Sequence, residues 1–158
     1  MTGSHLQFCT FHLAGLHFGV EVPRVQEVLK SLEITPVPLS LAEVQGLINL
    51  RGQIVTAVDL RRRLNLPENE GASPSINLVL RGEDGVMSLL VDDIGDVVEV
   101  SQDDVETPPE TLPPSIRLMV PRVYKLKDSL LHVLDTEQTH ACPRSISNLL
   151  RLRHHVGC

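Results

Sequence analysis

Seven histidines, twenty acidic residues and three cysteines are the side chains of this 158-residue chain that could hold a metal or move a proton. Their spacing builds no catalytic motif: GxSxG, HExxH and the phosphate-cradling GxxxxGK[ST] are all missing. His12 and His132 fall inside strand-like patterns, where a hydrogen-bonded structural role is the usual one, and His154-His155 is a doublet close to the C-terminus. Zinc needs three or four convergent ligands, and neither these residues nor His5, His17 and His140 offer such a spacing. Asp92-Asp93, with Asp96 nearby, reads as a solvated turn rather than a cation cluster. Arg61-Arg62-Arg63 would point three ways on a helix and has no aromatic platform, so a solvated face is expected rather than a phosphate patch. Cys9, Cys142 and Cys158 are odd in number, far apart and form no CxxC, which fits reduced thiols. The expectation is a protein that is not an enzyme, with no cofactor and no metal.

The overall balance narrows the class of partner. A net charge of -6 and a pI near 5.6 argue against a general nucleic-acid binder. The charge is uneven, because Glu83 to Glu110 carries no Lys or Arg while Arg144 to His155 is basic. No signal peptide is apparent at the N-terminus, and no apolar run reaches the roughly 18 residues of a membrane span, so a cytoplasmic location is expected. The length suits one domain, or two small barrels sharing a core, packed by branched aliphatics since the chain has no Trp.

Gly46 to Leu60 (GLINLRGQIVTAVDL) organises the rest. Two apolar runs flank Arg51-Gly52-Gln53, a pattern that predicts a β-hairpin with an arginine displayed at its turn. Upstream, Leu6 to Leu13 and Leu16 to Val22 form another hairpin around Gly15. Pro23 stops that strand, and Arg24 to Leu29 fits either a short helix or a strand. Ile34 to Pro38 should be extended, and Ser40 with Glu43 makes a capping box before Gly46. Leu60 to Leu66 predicts a short helix, and Glu68 to Ser75 a loop. Ile76 to Arg81 and Val86 to Val91 form a third hairpin, and Asp92 to Val100 follows. Ser101 to Ser115, with four prolines, should be irregular. Ile116 to Tyr124 and Leu130 to Leu134 read as a fourth hairpin, and Ile146 to His155 has helical spacing.

The chain repeats itself. Leu50 to Asp59 matches Leu126 to Asp135 in apolar pattern, in the cation after the leucine and in the closing aspartate. Phe18, Val20, Val22, Val25, Glu27 and Val28 match Met87, Leu89, Val91, Ile94, Asp96 and Val97 in the same order. Two β-units follow, each too small for a good core, so the halves should exchange strands and share an interface.

Phe18 to Val22, Val25 to Val28, Ile34 to Pro38, and above all Gly46 to Val55 with Val58 to Arg61, closely resemble the CheW-like domain of bacterial chemotaxis coupling proteins. The likeness runs through Leu89 to Asp92, Val97 and Leu130 to Asp135, covering residues 6–138 as a single domain of two barrel subdomains and leaving 139–158 as a basic C-terminal tail. It implies a mainly β fold of two intertwined five-stranded SH3-like barrels with short helices. It also implies a non-catalytic adaptor that couples the cytoplasmic tip of a methyl-accepting chemoreceptor to the regulatory domain of a CheA-type histidine kinase, recruited to membrane-associated receptor arrays. A scaffold of a related pathway, for pilus motility or another behaviour, is the alternative; a small-barrel nucleic-acid module fits the acidic balance poorly. Carried over by position, the receptor groove would use Val25, Glu27, Arg51, Gly52, Ile54, Met87 and Ser88. The kinase surface would use Val20, Val22 and Val98. Glu27 and Arg51 would either pair or stay separately solvated. Two positions depart from the family pattern: Arg122 stands where the second repeat usually has glycine, and Asp128 stands where the first repeat has Gly52.

Overall fold

Branched aliphatics favour strand, and eleven strands form among the described residues. These are β1 (His5–Leu13), β2 (Leu16–Glu21), β3 (Val25–Lys30), β4 (Val44–Leu50), β5 (Gln53–Asp59), β6 (Ile76–Gly82), β7 (Gly85–Val91), β8 (Asp93–Ser101), β9 (Val105–Glu106), β10 (Arg122–Lys125) and β11 (Leu130–Val133). The structure is a computed structural model that describes residues 5–30, 32–38, 44–67, 76–82 and 85–136. The Ser40 to Glu43 cap, the loop at 68–75, residues 83–84 of the third hairpin's turn and the tail beyond 136 with its helical spacing lie outside the described residues.

Turn chemistry sets the hairpins. Ala14 and Gly15 (φ 50° and 80°) and Arg51 and Gly52 (φ 52° and 87°) form two-residue links with positive φ at both positions. Such turns carry the twist that antiparallel strands need. Arg24 to Leu29 resolves as strand rather than helix: Pro23 sits in a single 3-10 turn over Val22–Arg24, and β3 runs on from Val25. α1 (Leu60–Arg63) is capped by Asp59, whose Oδ1 accepts from the Arg61 N–H at 3.0 Å. The expected strand over Ile116 to Tyr124 is corrected. Pro114 sits in the first turn of α2 (Pro114–Arg117), where its missing N–H costs nothing, and only Arg122–Lys125 is extended.

The strands form two sheets, ordered β8-β1-β2-β11-β10-β9 and β3-β6-β7-β5-β4. Each sheet mixes the two halves of the chain, as the repeat predicts: β3 of the first half pairs with β6, and β8 of the second half pairs with β1. The registers agree with the repeat residue by residue, since Phe18 opposes His132 in the parallel β2–β11 pair and Met87 opposes Thr56 in β7–β5. Even the irregularities recur. A bulge at Gln26 separates Val25, opposite Leu80, from Glu27, opposite Val79, and the matching break in β8 lies between Ile94 and Val97. Each sheet curls toward closure through the segment after its exchanged strand. Thr35 and Leu47 trade two backbone hydrogen bonds of 2.8 Å, and β9 pairs with β10.

Three apolar clusters follow. Ile48, Leu50, Val55, Ala57, Val79 and Leu90 fill one barrel. Phe8, Val100, Tyr124, Leu131 and Val133 fill the other. The largest lies between them and draws Phe11, Phe18, Leu60, Leu78, Leu89 and Ile116 from both halves. Burying a large aliphatic or aromatic side chain stabilises by about 1.5–3 kcal/mol, so the shared cluster welds the barrels into one unit.

Candidate partner-binding site

The β4–β5 turn is positioned by Asn49, whose Oδ1 accepts from the Gly52 N–H at 2.9 Å. At that tip the Arg51 side chain is 67% exposed and pairs with Glu27, donating from Nη2 to Oε2. The bulge at Gln26 makes this contact possible. Val25 shares a cross-strand row with Leu80, Met87, Thr56 and Leu47, whereas Glu27 shares the next row with Val79, Ser88 and Ala57. Adjacent rows face opposite sides of a sheet. The extra residue therefore turns Glu27 onto the face that lines the barrel, at its mouth, where the hairpin tip lies. The hydrogen bond from the Arg51 guanidinium, aided by its charge, holds the Glu27 carboxyl below its ordinary value, and the same pair raises Arg51. Near these partners in the chain, Ile54 on β5 is 62% and Val28 on β3 40% exposed.

Of the residues expected in the receptor groove, Arg51, Gly52 and Ile54 are exposed and Val25 and Glu27 half-buried. Met87 and Ser88 are buried. Met87 joins the cluster between the barrels, and Ser88 Oγ bonds Asn77 Oδ1 at 2.9 Å inside the barrel. Of the residues expected to face the kinase, Val20 is fully buried and Val22 and Val98 are half-buried, with Val98 packed on the second barrel's cluster. Val97, which repeats Val28, is 59% exposed, as are Val105 at 43% and Leu118 at 76%.

Several charged residues take roles their spacing concealed. Arg61 is not solvated: its Nε donates to Asp92 Oδ2 at 2.8 Å, Nη2 reaches the same oxygen, and Nη1 donates to the Pro67 carbonyl at 2.6 Å. Asp92 is correspondingly no solvated turn, its side chain being only 18% exposed, whereas Asp93 and Asp96 are exposed. Asp59 pairs with Arg62 at 3.6 Å, and burial pushes its carboxyl up. Arg122 Nη2 donates to Glu21 Oε1 at 2.8 Å and its guanidinium lies 5.9 Å from the Tyr124 ring. It borders a cleft of about 190 Å³ with Glu21, Arg24, Leu134, Asp135 and Thr136. His132 Nδ1 sits 2.9 Å from the His17 carbonyl, the structural role expected of it. Burial, then His12 and His132, push the His17 imidazole below its ordinary value, and burial pushes the Cys9 thiol up. Among the described residues no three His, Cys, Asp or Glu side chains gather as a metal site, and no helix is long and apolar enough to cross a membrane.

The model of the CheW-like domain matches residues 7–141. This chain belongs to the CheW-like family. It is 32% identical over 133 residues to the chemotaxis protein CheW of Treponema pallidum, covering 82% of this chain and 78% of that one. It is 30% identical over 125 residues to CheW of Bacillus subtilis, covering 79% and 80%. The fold is similar to that of the scaffolding protein TtCheW from Thermoanaerobacter tengcongensis, with a TM-score of 0.74, 25% identity, and coverage of 83% and 89%. The two sheets are thus the paired SH3-like barrels of the CheW-like fold. As a member of this family the chain has a chemotaxis adaptor role and is not an enzyme.

Proposed function

We propose that the chain couples the cytoplasmic tip of a chemoreceptor to the regulatory domain of a CheA-type histidine kinase, and that it works in the cytoplasm at membrane-associated receptor arrays. The observation that carries this reading is the Arg51 hairpin tip held on Glu27, with exposed Ile54 on β5 and Val28 on β3. Glu27 engages one guanidinium nitrogen, which fixes the direction of a group that has five N–H donors, and the rest of the fork faces solvent. A preset donor flanked by apolar surface suits a helical receptor hairpin that offers apolar side chains and a carbonyl or carboxylate. Val25 is half-buried and can contribute to this surface, whereas Met87 and Ser88 are buried on opposite faces of β7 and act through packing rather than by contact. For the kinase, Val22 and Val98 are half-buried, and exposed Val97 and Val105 are added to them as candidates for contact.

Binding of the full chain to a receptor hairpin fragment and to a kinase regulatory domain, measured separately by calorimetry, tests this. Arg51→Ala should weaken receptor binding at least tenfold, about 1.4 kcal/mol, with kinase binding and thermal unfolding nearly unchanged. Intact receptor binding accompanied by a large loss of stability would sink the proposal, as would binding to neither partner.

A further inference from the structure

We propose that His12 and His17 form a two-imidazole site for a borderline divalent metal ion of the zinc, nickel or copper class. They are five residues apart in the chain, a spacing with no significance until the hairpin forms. The two-residue Ala14-Gly15 turn then sets Leu13 against Leu16 and His12 against His17. In a hairpin with this turn the pair next to the closing pair lacks mutual backbone hydrogen bonds, and there side chains approach most closely. The rings accordingly stack with centroids 4.4 Å apart and planes within 3°. A metal holding two nitrogens at about 2.1 Å each needs them roughly 3 Å apart with both in-plane lone pairs aimed at it, so each ring must turn out of the parallel stack to share an ion. Imidazole is a good donor to the ions named, and it suits calcium and magnesium poorly.

The surroundings favour occupancy. His12 is exposed and His17 half-buried, so an ion can enter from solvent. Asp93 on β8 is in register with His12 and exposed, placing a carboxylate on the same sheet face, where it can accept from the second ring nitrogen. His17 rests on a fixed backbone, because His132 Nδ1 is 2.9 Å from its carbonyl. Since no third His, Cys, Asp or Glu side chain converges among the described residues, water or a partner's side chain completes the coordination shell.

The test is calorimetric titration of the metal-free full chain with Zn²⁺ alone, repeated on His12→Asn, His17→Asn and a variant carrying His154→Ala with His155→Ala. One equivalent should bind the parent chain. Affinity should fall at least tenfold in both hairpin variants and stay within twofold in the tail variant. Circular dichroism of His12→Asn, whose side chain is exposed, should match the parent. No binding by the parent chain, unchanged affinity in His12→Asn, or loss of the site in the tail variant overturns the proposal.

Discussion

Gly46→Ala should destabilise the protein far more than an alanine elsewhere in the same hairpin. A Cβ at this position would lie 2.3 Å from the Thr35 carbonyl oxygen and 2.8 Å from Ile34 Cγ2. Carbon–oxygen contacts settle near 3.3 Å, so the two segments would have to part by roughly 1 Å. Both 2.8 Å hydrogen bonds between Thr35 and Leu47 would then stretch out of range. Two such bonds contribute about 1 kcal/mol each, and an alanine at φ 153° adds about 1 kcal/mol of backbone strain. The sum is about 3 kcal/mol, or roughly 10 °C in Tm for a domain of this size. Gly52→Ala is the internal control, since φ is 87° but nothing lies within 4 Å of the added carbon, so only strain of about 1 kcal/mol applies. Urea unfolding of both variants gives the comparison, provided the slope with denaturant is unchanged. If Gly46→Ala costs no more than Gly52→Ala, barrel closure does not depend on the Thr35–Leu47 approach.

Arg61→Ala should cost about 3 kcal/mol, because it strands the Asp92 carboxylate with its side chain only 18% exposed; a double-mutant cycle with Asp92→Asn should return a coupling above about 0.5 kcal/mol. Asp59 has its carboxyl raised by burial, so its contribution to stability is full below the unfolded value and is lost as pH rises through the folded one. Asp59→Asn, which keeps an N-cap, should therefore flatten Tm against pH over that interval, whereas Asp59→Ala should lose about 1 kcal/mol of capping. Glu27 is shifted the other way, so what it contributes is present above its unfolded value and lost as pH falls through the depressed folded one. A carboxyl-resolved NMR titration should show Glu27 moving back up toward its ordinary value in Arg51→Ala, and no movement would mean that the pair is not formed in solution.

Local chemistry made the hairpin at Gly46 to Leu60 legible, because apolar alternation and an Arg-Gly turn are properties of adjacent residues. The repeat made strand exchange legible, since two half-sized units have no other way to cover their faces. What stayed hidden depends on packing. Alternation separates Met87 from Ser88 but does not say that both faces of β7 are covered, one by the second barrel and one by the barrel interior. The bulge that aims Glu27 at Arg51 falls on Gln26, a residue with no turn preference to advertise it. Among three consecutive arginines it is Arg61 that reaches Asp92, and that selection depends on how α1 leaves β5 and lies against β7. Ile116 misled as a strand residue because it is apolar, when Pro113 and Pro114 just upstream favour a helix start.

The exchange of strands also fixes how the molecule carries force. A partner pulling on the Arg51 hairpin loads β5, which is laddered in parallel to β7 of the other half, and β7 runs directly into β8, which is laddered to β1. Tension applied at one barrel is thus shared by strands from both halves of the chain before any single pair can peel. An adaptor strung between two partners in this way would yield as one body, so movement at one contact would reach the other as displacement rather than being absorbed within the link.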